Sequence, residues 1–119
     1  MNDPRILTAA ELELMHVLWD HGASTVQEVH TALSGPRAYT TVATLLKILE
    51  DKGFAHTERD GRRLVYAAAV TRPAYEATAV RDVVQRVFAG DAGALARTLV
   101  QGEQMTEQER EILRKLLGP

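Results

Sequence analysis

The sequence predicts a mainly α-helical chain with one small β-hairpin, and three observations carry that expectation. Apolar residues recur at i, i+3, i+4 and i+7 spacing through several short segments, as in helices that bury one face. Most of these segments open on a capping motif or close on a glycine or Gly-Pro break. Between residues 54 and 68 the pattern changes to two short runs flanking Asp60-Gly61, a dipeptide that favours a tight hairpin turn.

The first helix is expected to start at Thr8, where Thr8-Ala9-Ala10-Glu11 reads as a capping box and Leu7 can pack on Leu12 as a hydrophobic staple. Glu11, Leu14, Met15, Leu18 and Trp19 then recur at helical spacing, and Gly22 ends the helix. Ser24 is expected to open the second helix through a box with Gln27, with Val26, Val29 and Leu33 facing inward and Gly35-Pro36 stopping it. The third helix is expected over residues 40–52. Its stripe is Val42, Leu45, Leu46 and Leu49, which leaves Thr40, Thr41, Ala43, Thr44 and Lys47 facing out. After Gly53, strands are expected over 54–58 and 64–68. A type I′ turn at Asp60-Gly61 joins them, with Arg59, Arg62 and Arg63 around it.

Arg72-Pro73 starts a fourth helix, whose apolar face includes Ala79, Val80, Val83, Val84, Val87 and Phe88. Gly90 breaks it. A fifth helix from about Asp91 carries Leu95, Leu99 and Val100 up to Gly102. A sixth begins at the capping box Thr106 to Glu109 and aligns Ile112, Leu113, Leu116 and Leu117. Three helices followed by a hairpin is the order of a winged helix-turn-helix. The expected architecture is therefore a winged helix-turn-helix domain over residues 1–70, followed by a C-terminal helical dimerisation segment over 71–119. The last three helices carry more apolar face than a thin appendage can bury against itself, so a second copy is the expected partner. Val80, Val84, Val87, Phe88, Leu95, Leu99, Leu113 and Leu116 are the expected interface.

Composition narrows the function. The chain has 119 residues, no cysteine and a formal net charge of −2. Without cysteine there is no disulfide framework, thiolate metal site or catalytic thiol. The N-terminal residues lack the apolar core of a signal peptide, and no run is long enough to cross a bilayer, so a cytoplasmic location without membrane insertion is expected. A negative net charge opposes nucleic-acid binding, but its distribution favours it. From Arg37 to Arg72, seven basic residues face four acidic ones, leaving +3, while the remainder carries −5.

The candidate DNA-binding residues are Tyr39, Thr40, Thr41, Thr44 and Lys47 on the third helix and Arg59, Arg62 and Arg63 on the hairpin. Threonine is short enough to bring a helix close to base edges, and it offers a donor, an acceptor and a methyl for the thymine 5-methyl group. For an arbitrary helix such a face is more often merely solvated, and the arginines could be charges that blunt a hairpin edge. The preceding helix pair and the following arginine turn favour DNA contact. His16, Asp20 and His21 give only one i, i+4 pair of ligand type, and His30 and His56 have no ligand-like spacing, so no metal or other cofactor is expected. Nor is catalysis. The only serines, Ser24 and Ser34, lie at helix ends, and there is no phosphate loop or His-Glu-x-x-His motif.

With these residues placed, the chain resembles the penicillinase-repressor family of BlaI, MecI and CopY. Thr8-Ala9-Ala10-Glu11 with Met15 and Leu18-Trp19 resembles the family's first helix, and Thr25-Val26-Gln27-Glu28-Val29 its second. Tyr39-Thr40-Thr41-Val42 with Thr44-Leu45-Leu46-Lys47 resembles the recognition helix; Asp60-Gly61-Arg62 and Tyr66 resemble the wing. Phe88-Ala89-Gly90 is similar to the family's Phe-Gly-Gly helix break. The resemblance implies a homodimeric repressor on a dyad-symmetric, double-stranded DNA operator, often controlling β-lactamase, cell-wall or copper-stress genes. In antibiotic-responsive members it further implies a membrane sensor protease as antirepressor. Three departures bear on this. Ile48 stands where the family frequently has arginine. Leu99-Val100-Gln101-Gly102 lacks the Asn-Phe pair at which those members are cleaved, and the chain has no cysteine-rich metal hook. The alternative expectation is a winged helix that docks on a protein; steep salt dependence would distinguish DNA binding from that.

Overall fold

A computed structural model describes residues 5–116 of the chain. The elements are α1 (Ala9–His21), α2 (Val26–Ala32), α3 (Tyr39–Asp51), β1 (Ala55–Asp60), β2 (Arg63–Ala68), α4 (Arg72–Val87), α5 (Ala92–Gln101) and α6 (Glu107–Leu116). Leu117, expected on the last apolar stripe, lies outside the described residues. Two compact units divide at Ala79 and Val80. That division falls inside α4, beyond the residue-70 boundary read from the sequence, because Tyr75 and Ala79 still pack on the first unit's core. The Leu7 N–H also donates to the Tyr75 hydroxyl at 3.0 Å.

The first unit is built around Leu14, Met15, Leu18, Val29, Val42, Leu46 and Leu49, all fully buried where α1, α2 and α3 meet. α1 starts as its sequence predicts. The Glu11 N–H donates to Thr8 Oγ1 at 3.2 Å and the Thr8 N–H returns to Glu11 Oε1 at 2.8 Å, which satisfies two donors that the first helical turn leaves open. Leu7 and Leu12 join the same core. Glu11 has a second role. Although it is only 3% exposed, its other oxygen accepts from Lys52 Nζ at 2.8 Å, joining the start of α1 to the C-cap of α3. Trp19, the only tryptophan, packs against the core and donates its indole N–H to the Val70 carbonyl at 2.9 Å. The guanidinium of Arg72 lies 5.4 Å from the Trp19 ring and is ion-paired with Asp20.

The second helix begins one residue later than expected. Its N-cap is Thr25, in a reciprocal box with Glu28, rather than Ser24 with Gln27. Ser24 is drawn away by the hairpin: its N–H and C=O exchange bonds of 2.9 and 2.8 Å with Tyr66, making an isolated antiparallel bridge beside β2. The Ser24 hydroxyl points the other way and donates to the Gly22 carbonyl at 2.8 Å, which leaves Thr25 to cap the α2 N–H groups.

β1 and β2 pair antiparallel, with Ala55 opposite Ala68 and Asp60 opposite Arg63. The central turn residues are therefore Gly61 and Arg62, not Asp60 and Gly61. Gly61 has φ of +65°, and Arg62 is not among the residues with positive φ. Positive φ at the first central position alone is the type II′ pattern, which replaces the expected type I′ and still matches the twist of paired strands. A Cβ at Gly61 would meet nothing within 4 Å, so backbone conformation and not space calls for glycine. Three helices, a hairpin and the Ser24 bridge make this unit a winged helix.

In the second unit, Val84 is buried, and α4 ends where Ala89 and Gly90 both take positive φ, +51° and +85°. The Gly90 N–H returns to the Val84 carbonyl at 2.9 Å. The Asp91 side chain caps α5 through the Ala94 N–H, and Thr106 and Glu109 cap α6 reciprocally at 2.8 and 3.1 Å, as the sequence predicts. Arg110 binds the Gly102 carbonyl at 3.0 Å, which ties α6 to the end of α5.

The Glu11–Lys52 pair makes stability depend on pH. Burial alone pushes the Glu11 carboxyl up, but the Lys52 hydrogen bond and the Thr8 bonds outweigh it and hold the pKa below its ordinary 4.5. A folded-state pKa below the unfolded one stabilises above the ordinary carboxylate range, and that contribution is lost as pH falls through the lowered value. Lys52→Met leaves a buried carboxylate without its cation and is expected to destabilise the fold by about 1–3 kcal/mol at pH 7. Urea unfolding at pH 7 and at about pH 3 should show the wild-type advantage shrinking in acid. An equal difference at both pH values would show that the charge pair contributes nothing.

Candidate nucleic-acid interface

α3 presents two sharply different faces. Val42, Leu46 and Leu49 are fully buried and Leu45 is half-buried, so the stripe is sealed into the core. Tyr39, Thr40, Thr41, Thr44 and Lys47 are all exposed, which brings the helical candidates together on one surface. Ala43, expected to face out with them, is half-buried because it lies at the edge of the stripe. The N-cap of α3 is Ala38, which offers no side-chain acceptor, and no acidic residue lies in the first turn. This surface therefore displays hydroxyls, a phenol, an ammonium and the positive end of a helix.

The turn leading into α3 is held by residues that sequence pattern alone does not single out. His30 Nε2 lies 2.7 Å from the Arg37 carbonyl and so donates to it, and the His30 ring meets the Tyr39 ring edge-on at 6.0 Å. Arg37 is ion-paired with Glu13 of α1 at 3.3 Å. These contacts set where α3 begins. A usable signal was present: Gly35-Pro36 stops α2 and leaves a loop carbonyl in need of a donor, and His30 lies on the last turn of α2.

At the wing, Arg59, Arg62 and Arg63 are all exposed near the turn. Their surroundings differ. Arg63 contacts Asp60 at 3.3 Å and Glu28 of α2 at 3.8 Å, and Arg59 donates to the Arg62 carbonyl at 3.5 Å. Among the described residues the Arg62 side chain contacts no carboxylate. Glu28 is held below its ordinary carboxylate pKa, chiefly by the Thr25 N–H, with Arg63 adding a smaller attraction.

α3 and the wing are joined by a carboxylate that the sequence reading left aside. Glu50 Oε1 accepts from Lys47 Nζ at 3.0 Å, and Glu50 Oε2 accepts from the Thr57 hydroxyl of β1 at 3.0 Å. Asp51 lies 3.6 Å from the same ammonium. The Lys47 hydrogen bond, then Thr57, hold Glu50 below its usual range; in return Glu50 raises the Lys47 pKa, first through that hydrogen bond. The i, i+3 and i, i+4 spacing of Lys47 to Glu50 and Asp51 was the available signal.

Of the other sequence candidates, Val84 is buried within its own chain and Phe88, Leu95 and Leu113 are half-buried. Val80, Val87, Leu99 and Leu116 are exposed, as are Val100 and Ile112. The second unit thus keeps a substantial apolar surface in water. His16 meets the Trp19 ring edge-on at 5.5 Å, and Asp20 is taken by Arg72. No helix among the described residues is long and apolar enough to cross a membrane.

Comparison with known proteins places this geometry. A family profile described as penicillinase repressor matches residues 7–118. The chain is 26% identical over 113 residues to the penicillinase repressor of Bacillus licheniformis, covering 93% of this chain and 88% of that protein. It is 35% identical over 112 residues to the transcriptional regulator BlaI of Mycobacterium tuberculosis (strain CDC 1551 / Oshkosh), covering 91% of this chain and 80% of that protein. Among solved structures, it superposes with a TM-score of 0.51 and 28% identity on the monomeric form of Bacillus licheniformis BlaI in complex with the blaP half-operator. That match covers 60% of this chain and 90% of that one.

Proposed function

Because this chain belongs to the penicillinase repressor family, we propose that it is a sequence-specific DNA-binding transcriptional repressor acting as a homodimer on a palindromic operator. The observation that carries the reading is the α3 surface: Thr40, Thr41, Thr44 and Lys47 are exposed on the side away from the buried Val42, Leu46 and Leu49, beside an arginine-bearing wing. A helix so anchored can enter the major groove as a rigid element, with the wing lying against flanking backbone. Tyr39 and the open first turn of α3 suit phosphate at the groove edge. The reading role falls to the first unit, and it is binding, not catalysis, in the cytoplasm where bacterial DNA lies. The alternative of a protein-docking winged helix lacks a comparable feature, since the exposed α3 surface is hydroxylic and charged, not apolar.

Self-association is assigned to the helices beyond the wing. Val80, Val87, Leu99 and Leu116 are large apolar side chains left in water, and pairing with a second copy would cover them. Two linked reading heads gain from effective concentration and can discriminate an operator from the genomic background in a way one head cannot. Their half-sites should lie about one helical turn apart or a multiple of it.

Lys47→Ala is expected to weaken operator binding and, if the ammonium displaces a counterion, to reduce the salt slope by about one unit. Thr44→Ala should instead relax base preference at one operator position. Anisotropy titrations against a panel of duplexes check both, and wild-type isotherms for both variants would remove α3 from the reading role.

For the wing, replacing Arg62 and Arg63 together by alanine should lower specific and non-specific binding alike without changing the preferred sequence. Arg62→Ala alone should account for the larger share, because Arg63 is already committed to Asp60 and Glu28. A shift in preferred sequence would show instead that the wing reads bases.

Val87→Glu combined with Leu116→Glu should give a monomer by light scattering with the first unit still folded, and operator affinity should collapse. Substitution at Val84 is the poorer test, because that residue is buried in its own chain. A dimer that survives both glutamates would place self-association elsewhere.

A further inference from the structure

Of the seven basic side chains from Arg37 to Arg72, only Arg59 and Arg62 lack a carboxylate within ion-pair distance among the described residues. The rest are neutralised before any ligand arrives. Glu50 stands out among the carboxylates responsible, because it bridges the two candidate DNA-contacting elements, with one oxygen on Lys47 of the α3 surface and the other on Thr57 of the wing. Its side chain is 26% exposed, against 65% for Asp51, so it is an anchored group and not a passing surface contact.

Resting on the repressor reading above, we propose that Glu50 is a specificity-determining residue that restrains Lys47 from sequence-independent DNA binding. Non-specific affinity is a Coulombic attraction between free cations and phosphate, with release of counterions. A lysine held 3.0 Å from a carboxylate presents a dipole in place of a full charge, and phosphate approaching it meets the carboxylate too. The ammonium has three donors; Glu50 takes one and Asp51 lies 3.6 Å away, so donors remain for an acceptor that comes to them in the right place. A guanine O6 or N7 in the major groove meets that requirement, whereas sliding along an arbitrary backbone does not. Thr57 completes the device by fixing the carboxylate from the wing side, so Lys47 is aimed as well as neutralised.

The test uses the full chain, the duplex that the wild type selects from a random-sequence pool, and a scrambled duplex of the same composition, each titrated across a salt series. Glu50→Gln keeps the shape and an acceptor for Thr57 while removing the charge, and a thermal melt confirms folding. It is expected to bind the scrambled duplex about three- to tenfold tighter, with a salt slope steeper by about one unit, and the selected duplex by much less. Lys47→Ala should abolish that gain: in its background Glu50→Gln should no longer steepen the salt slope on the scrambled duplex, because no ammonium is left to release. Glu76→Gln, an exposed charge on α4, controls for net charge and should change neither. Equal tightening on both duplexes, no tightening, or the same gain from Glu76→Gln would overturn the proposal while leaving the repressor reading intact. A wild-type chain that selects no duplex would overturn both.

Discussion

A single buried carboxylate holds together the two helices on which the first unit depends. Glu11 closes the N-terminus of α1 with one oxygen and grips Lys52, just past the end of α3, with the other. Apolar packing of Val42, Leu46 and Leu49 says which side of α3 faces inward, yet such packing is tolerant of small slides along the helix axis. A charge pair at 2.8 Å is not. Its value therefore lies in register more than in net stability, since a buried pair gains little over a well-packed apolar one. Once α3 is fixed along its axis, the exposed threonines and Lys47 acquire a definite position, and Glu50 can reach Thr57 to place the wing against the same helix.

The electrostatics of the first unit follow a consistent pattern. Basic side chains are numerous where a polyanion would sit, but most are answered locally by an acid: Arg37 by Glu13, Lys47 by Glu50, Arg63 by Asp60. A surface of this kind attracts phosphate weakly at long range and responds strongly to the geometry of what it touches. This also shows how a chain of net charge −2 can carry the surface proposed to read DNA without being a basic protein. The uncommitted guanidinium of Arg62, at the tip of the hairpin, is the cation best placed to make first contact.

Much of this was legible in local motifs, and what was missed involved partners distant in sequence. The start of α1, the buried stripe of α3 and the cap of α6 each depend on residues within a few positions of one another, and each lies where its motif points. Two capping boxes overlap at Ser24 and Thr25; Ser24 is bridged to Tyr66 through its backbone and bound back to Gly22 through its hydroxyl, which leaves the cap to Thr25. The hairpin turn is displaced in the same way: Asp60-Gly61 is the better local signal, but strand register puts Gly61 and Arg62 at the centre. Tyr75 belongs to the first core although it lies beyond an apparent boundary, because its hydroxyl is bound by Leu7 from the other end of the domain. Lys47 is the opposite case. Its acidic partners are three and four residues away, so the pairing could have been read from helical spacing alone.

The lone tryptophan has a practical consequence. Trp19 is anchored by its indole N–H to Val70, lies beneath Arg72 and touches His16 edge-on, all within the first unit. The second unit contains no tryptophan at all. Intrinsic fluorescence is thus an optical probe of one part of the molecule: it follows opening of the first unit, and melting of α5 and α6 goes unseen unless it is transmitted through α4. Comparing that emission with far-ultraviolet circular dichroism, which sees every helix, separates the unfolding of the two halves without any added label.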